Sequence, residues 1–301
     1  MPSEPGTPTL DQLQVFLAIV DVGSFAGAAR KLGRATSVIS YSIANLETQL
    51  GISLFDREST RKPQLTEAGR AVLSEARNVS NGINGLRARV RGLLQGLEAE
   101  VDLVLDVMLP ASRVVDALKA FRAEFPTVSL RLNIEALGAV MQMVVNRVAT
   151  LGVGGPFDEV VPGIERVGVG TVELIPVAAP NHPLALAGQT TPGAGRGHVQ
   201  LVLTDRSSPH APDRGVIGTQ TWRLGDLGSK HILLREGIGW GYMPEPMVRE
   251  DVEKGRLVHL DMAEIKSGSI RLFAIYRTDT PPGPAGSWLI ARFASQSEVG
   301  S

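Results

Sequence analysis

Small and polar residues recur at steps of three and four between positions 36 and 50. Ser37, Ser40, Tyr41, Ala44, Asn45 and Thr48 fall on one side of a helical wheel; Ile39, Ile43, Leu46 and Leu50 fall on the other. Hydroxyl and amide groups on such a strip, with Thr36 at its head, can bond base edges in a DNA major groove. A solvated helix face would look the same. Arg57, Arg61 and Lys62 follow in a polar turn between two short strand-like pieces, where basic side chains can neutralise phosphates. Arg34, in the turn ahead of the helix, is a further candidate phosphate contact. An ordinary exposed hairpin is the competing reading, but a basic hairpin directly after a helix-turn-helix pattern favours nucleic acid.

Other chemistry is scarce. The 301 residues include no cysteine, which excludes disulfides, zinc–thiolate centres, iron–sulfur clusters and thiol redox sensing. His182, His198, His210, His231 and His259 are scattered. No G-x-S-x-G, P-loop, strand-following G-x-G-x-x-G or H-E-x-x-H occurs. The expectation is a chain that is no enzyme and holds no metal or cofactor.

The elements that must position the polar strip are legible around it. Leu10, Leu13, Phe16, Leu17 and Val20 make one apolar face of a helix ended by Gly23. Ser24 can cap a short alanine-rich helix, Phe25 to Leu32, small enough for a close helix crossing. Thr36 is expected to cap the helix that follows. Thr66 can cap the next one, in which Val72, Ala76, Val79, Ile83, Leu86, Val90, Leu93 and Leu97 repeat at steps of four and three. That heptad seam predicts a dimer contact. Gly82, Gly85, Gly92 and Gly96 cost ~1 kcal/mol each against alanine, so a bend or break is expected near Asn81–Gly85. The divisions read as a disordered start (1–9), a winged helix-turn-helix (10–65) and a linker helix (66–98).

From Val101 strands and helices alternate to the end, which implies an α/β body with crevices at strand C-terminal ends. Charge divides along the same line. Residues 1–95 carry 11 Lys and Arg against 8 Asp and Glu; the remainder carries 19 against 23. A basic head on an acidic body is compatible with DNA binding. No basic-then-apolar leader and no run of about 18 apolar residues is present, so a cytoplasmic location and no membrane partner are expected.

LQVFLAIVDVGSFAGAARKLG, SYSIANLETQLGISLFDR and LTEAG, in that order, resemble the LysR-type transcriptional regulators. FRAEFP, LGVGGP, LIPVAAPNHPLA, EGIGWGYMPEPMV and KGRLVHL extend the resemblance over nearly the whole chain. It implies an α+β multidomain fold: an N-terminal winged helix-turn-helix, a long linker helix, and a C-terminal α/β effector domain (99–301). That domain would have two subdomains resembling type 2 periplasmic-binding proteins, about 99–168 with 271–301, and about 169–270. The resemblance further implies a ligand-responsive dimer of dimers on an interrupted palindrome in double-stranded DNA, controlling a neighbouring gene set, with RNA polymerase as a partner. A small-molecule inducer, a carboxylate by the preference of helix N-termini and glycine amides, would meet Ser112, Gly154, Gly155, Thr204, Gly237, Ile238 and Gly239. Where many members carry Ser-Gln-Pro this chain has Ala35, Thr36 and Ser37, and Tyr41 stands where arginine is common. Thr150 replaces an acidic residue common ahead of the LGVGG stretch. The alternatives are an architectural DNA-binding protein without a ligand and, from the body alone, a solute-binding protein.

Overall fold

Thr9 opens the first helix in the computed structural model, which describes residues 6–56, 62–157, 159–186, 193–205, 207, 213–261 and 266–295. The Thr9 side chain accepts from the Gln12 amide and the Gln12 side chain accepts from the Thr9 amide, a reciprocal cap that satisfies two otherwise orphaned donors. The Gly6 amide also donates to the Gln49 carbonyl at 2.7 Å. Of the start expected to be disordered, residues 6–9 are therefore tied down; residues 1–5 lie outside the described residues.

Helix α1 is Leu10–Val22, α2 is Phe25–Leu32 and α3 is Thr36–Leu50. Gly23, Gly33 and Gly51 end them in the left-handed conformation that glycine adopts without steric cost. Ser24 caps α2 as expected. The cap of α3 is Ala35, which makes no side-chain bond, so Thr36 is the first helical residue and not the cap. The reason is the preceding turn: the Arg34 amide closes back on the Ala29 carbonyl, leaving Ala35 extended as the last residue before the helix. Ala28 and Ala29 are buried where α2 meets its neighbours, and Phe55 receives the ring edges of Phe16 and Phe25 at 5.6 Å. Phe55 pairs with Leu65 at the base of a hairpin whose Arg57 and Arg61 lie outside the described residues.

Helix α4, Glu67–Leu94, runs unbroken through Gly82 and Gly85, so the expected bend is absent. Two glycines at ~1 kcal/mol each do not outweigh the hydrogen bond that propagation adds at every residue. The helix stops at Leu94, short of the expected residue 98, and the Leu97 amide folds back onto the Gly92 carbonyl. Leu97 is therefore off the heptad seam. The seam itself divides. Val72 and Ala76 pack into the core around Phe16, Ile39 and Leu46, so they stabilise this chain rather than a partner. Ile83 is half-buried, and Val79, Leu86, Val90 and Leu93 are exposed.

Met1–Arg91 and Gly92–Ser301 are two compact units. The second contains β1 (Glu100–Asp106), α5 (Ala111–Glu124), β2 (Ser129–Glu135), α6 (Gly138–Val145) and β3 (Leu151–Gly154). A 15-residue strand follows, β4 (Ile164–Ala178), then a single turn α7 (Pro183–Leu186), β5 (Gln200–Leu203) and β6 (Thr221–Leu224). The chain continues through α8 (Leu227–Arg235), β7 (Trp240–Pro244), α9 (Glu245–Glu253), β8 (Val258–His259), β9 (Gly268–Arg277) and α10 (Pro284–Ser295). Among the described residues the strands order as β2-β1-β3-β9-β4-β7-β5-β6, with β8 beside β4. β1, β2 and β3 are parallel, and so are β5, β6 and β7. The long antiparallel pair β4–β9 crosses from one parallel group to the other, and its register slips between Gly168 and Gly170. Near-continuous apolar runs such as LVL and GVG in these strands reflect burial on both faces.

Candidate nucleic-acid interface and effector cleft

On α3 the apolar stripe of Ile39, Ile43 and Leu46 is buried, which turns the opposite side outward. Thr36, Ser37, Ser40 and Tyr41 are exposed, Tyr41 at 68%, and Asn45 is half-buried. Val38 is also 48% exposed beside them. Apolar character assigns such a residue inward, which hid it from the sequence pattern; exposed, it offers a methyl contact to thymine. Glu47 fixes the hairpin against this helix, its carboxylate accepting from the Leu54 and Phe55 amides at 2.6 and 3.2 Å. Lys62 is exposed on that hairpin. Arg34 differs from expectation in part: its guanidinium forks the Asp11 carboxylate at 2.8 and 2.6 Å, which holds that carboxyl below the usual carboxylate range. The pair links the α2–α3 turn to α1, and the fork is not free for phosphate while it stands.

In the second unit the C-terminal ends of β1, β3, β5 and β7 converge beside the β4–β9 crossing. Asp106, at the end of β1, is buried, and its carboxyl accepts from the Met108, Leu137 and Gly155 amides. Burial, with a smaller push from Asp205, raises its pKa to about 7 against those amides. Asp205, just past β5, accepts from the Gly138 amide at the start of α6 at 3.1 Å and from Ser207. Gln142 of α6 adds a bond to the Ser207 carbonyl. The amides at the α6 start are thus held by two of the protein's own carboxylates. Lys230 is buried nearby, its ammonium donating to the Tyr242 carbonyl at 2.7 Å and lowered to about 8 by desolvation.

The residues expected to hold an inducer divide. Ser112 is exposed in the first turn of α5, Gly154 and Gly155 end β3, and Thr204 is half-buried beside Asp205. These four belong to elements at the convergent end. The glycines serve close approach: a Cβ on Gly154 would meet that of Asp106 at 2.7 Å, and one on Gly155 the Arg271 carbonyl at 2.3 Å. Gly237, Ile238 and Gly239 lie elsewhere, beside Asn181 and Val199 ahead of β7. Four residues of β7 stand between Gly239 and Pro244, five steps or about 16 Å at the rise of a strand, so they do not join this site. The cavity that does open at the crossing, of about 660 Å³, is lined by Phe157, Tyr242, Phe273, Arg214, Lys266 and Arg271 among others. None of these was singled out by motif, because β4–β9 pairing assembles them from distant stretches.

A winged helix-turn-helix head, a long helix and an α/β body with a cavity at a two-strand crossing define a DNA-binding regulator with a small-molecule domain. Residues 10–70 match the bacterial regulatory helix-turn-helix protein of the lysR family, and residues 94–298 match the LysR substrate binding domain. The chain belongs to the LysR family of transcriptional regulators. The transcriptional regulator AceR of Acinetobacter baumannii is 28% identical over 253 residues, covering 84% of each chain. Full-length LysG of Corynebacterium glutamicum with its bound effector Arg superposes with a TM-score of 0.50 at 19% identity, over 96% of this chain and 98% of that one. Vibrio fischeri DarR in complex with DNA does so with a TM-score of 0.50 at 18% identity, over 96% and 99%.

Proposed function

We propose that this regulator binds an interrupted palindrome as a dimer of dimers and controls a neighbouring gene set through RNA polymerase in response to a small organic ligand. The observation that carries the reading is the outward face of α3, where Thr36, Ser37, Ser40 and Tyr41 stand exposed on a helix whose Ile39, Ile43 and Leu46 are buried on the other side. The exposed half of the α4 seam supports pairing, and two recognition helices read two half-sites one or more helical turns apart. With Tyr41 in place of an arginine, the bidentate guanine contact is missing, so the half-site differs from that of relatives carrying arginine there. Signalling is a population shift: ligand biases the angle between the two parallel groups of the sheet, and the assembly re-spaces its heads.

The test is a footprint of the full chain on the DNA flanking its own gene, with and without small organic acids. Two protected half-sites whose separation changes with ligand are expected. Replacing Lys62 should weaken all DNA alike and flatten the salt dependence, whereas Ser40→Ala and Tyr41→Ala should lower the ratio of operator to random affinity. Protection of a single site, or Tyr41→Ala weakening both DNAs equally, refutes the assignment.

A further inference from the structure

We propose that the buried ammonium of Lys230 is the seat of an acid group, so that the ligand is a small carboxylate whose head enters the pocket beside Lys230 while its body stays in the cavity at the β4–β9 crossing. The inference rests on the ligand-responsive reading above. Lys230 falls three residues after Leu227 and four before Leu234, on the buried stripe of α8 where an apolar side chain is the rule. Lysine is almost never fully buried unless paired, yet Lys230 is 3% exposed. Strand β7 makes room for its stem at Gly241, where a Cβ would lie 3.1 Å from the Lys230 Cε. The Lys230 Nζ donates to the Tyr242 carbonyl at 2.7 Å, which uses one of its three donors. No carboxylate among the described residues pairs with it, and desolvation alone lowers its pKa to about 8, so it stays mostly charged at neutral pH. A buried charge with one neutral acceptor recovers only part of the hydration it lost, and an anion supplies the rest.

The space beside Lys230 is limited. It is a pocket of about 60 Å³, lined by Met108, Leu137 and Leu203 among others, with room for an acid group and not for a whole ligand. Leu174, Tyr242 and Ile270 line both this pocket and the cavity of about 660 Å³, so the two adjoin. The larger volume falls within the ~300–1,000 Å³ usual for small-molecule sites, and the shared apolar residues give a hydrocarbon body its contacts. Gln200 also lines the pocket, but its amide group is already spent. It donates to the Gly215 carbonyl at 2.7 Å and accepts from the Ile217 and Gly218 amides at 2.8 Å. Lys230 by contrast keeps two N–H donors for the oxygens of an acid.

Isothermal titration and thermal shift of the full-length protein with butyrate, hexanoate, benzoate and phenylacetate test this, each beside its primary amide and the corresponding primary amine. At least one acid should bind about ten-fold or more tightly than its amide, the least that a hydrogen bond to a charged group contributes, and more tightly than its amine. Lys230→Met and Lys230→Gln should each bring the acid down to the level of its amide, with the melting temperature without ligand reporting that the fold is intact. Glutamine keeps a donor for the Tyr242 carbonyl, so the comparison survives a methionine variant that does not fold. Acids and amides binding alike, amines binding best, an acid preference that persists in Lys230→Gln, or no acid binding at millimolar concentration overturns the proposal. Amides or amines binding in place of acids leaves the ligand-responsive reading standing, since another class of compound then occupies the site. That reading itself fails if a compound binds and the DNA footprint is unchanged.

Discussion

Leu86→Ala is the sharpest test of the pairing inferred from α4. Leu86 is 59% exposed in the single chain, and Val79, Val90 and Leu93 are 46%, 47% and 54% exposed on the same stripe. Burying a leucine side chain completely is worth about 1.5–3 kcal/mol, so covering the exposed part of Leu86 contributes about 1–1.5 kcal/mol. In a two-fold pair the residue counts twice, giving about 2–3 kcal/mol per dimer. That is a rise of about 30- to 150-fold in the dimer dissociation constant. Alanine is the best helix former, so α4 itself is not weakened. Leu94→Ala is the control, because Leu94 is 85% exposed and steps off the stripe. Sedimentation equilibrium of the full chain across a concentration series measures both. A Leu86→Ala constant within three-fold of the parent, or an equal effect from Leu94→Ala, would refute the assignment of this stripe to a partner helix.

Asp106 gives the protein a pH dependence of defined sign. A carboxyl raised to about 7 in the folded state favours folding while protonated and loses that contribution as pH climbs from its unfolded value near 3.8 to about 7. The gap is worth up to about 4 kcal/mol, so thermal unfolding of the second unit should move upward on acidification from pH 8 to 5.5. Asp106→Asn should flatten that slope; an unchanged slope would show that another group titrates. Asp205→Ala should remove the bond to the Gly138 amide and cost about 1–3 kcal/mol, read as faster amide exchange in the first turn of α6. The glycines of α4 should respond oppositely to alanine. Gly82 has open space around it and should gain about 0.5–1 kcal/mol, whereas a Cβ on Gly69 would lie 2.1 Å from the Leu54 carbonyl and should lower the melting temperature by several degrees.

The head was legible because its signals are local. Gly23, Ser24, Gly33, Gly51 and Thr66 punctuate the helices at the residues where the structure turns, and each acts through its own backbone preference. The body was legible only as a rhythm. Strand β4 begins at Ile164, ten residues before the LIPVAAP stretch that stood out in the sequence, because its first half mixes polar and apolar residues and earns its pairing from β9, about a hundred residues away. The GIG stretch was placed at the ligand because a glycine amide resembles a ligand donor; which end of β7 it occupies depends on the direction of a parallel sheet, which no local pattern encodes. Asp106 and Asp205 carried no motif at all. Their role arises where the two strand ends meet.

Gly69 has one more consequence. Because the Leu54 carbonyl presses where its side chain would be, and Thr66 bonds the Ser53 carbonyl and the Gly69 amide, the first turn of α4 is welded to the root of the hairpin. Glu47 welds the same root to α3. Rotation of the first turn of α4 about its axis therefore carries α3 with it, through residues 53–55, as a key turns its bit.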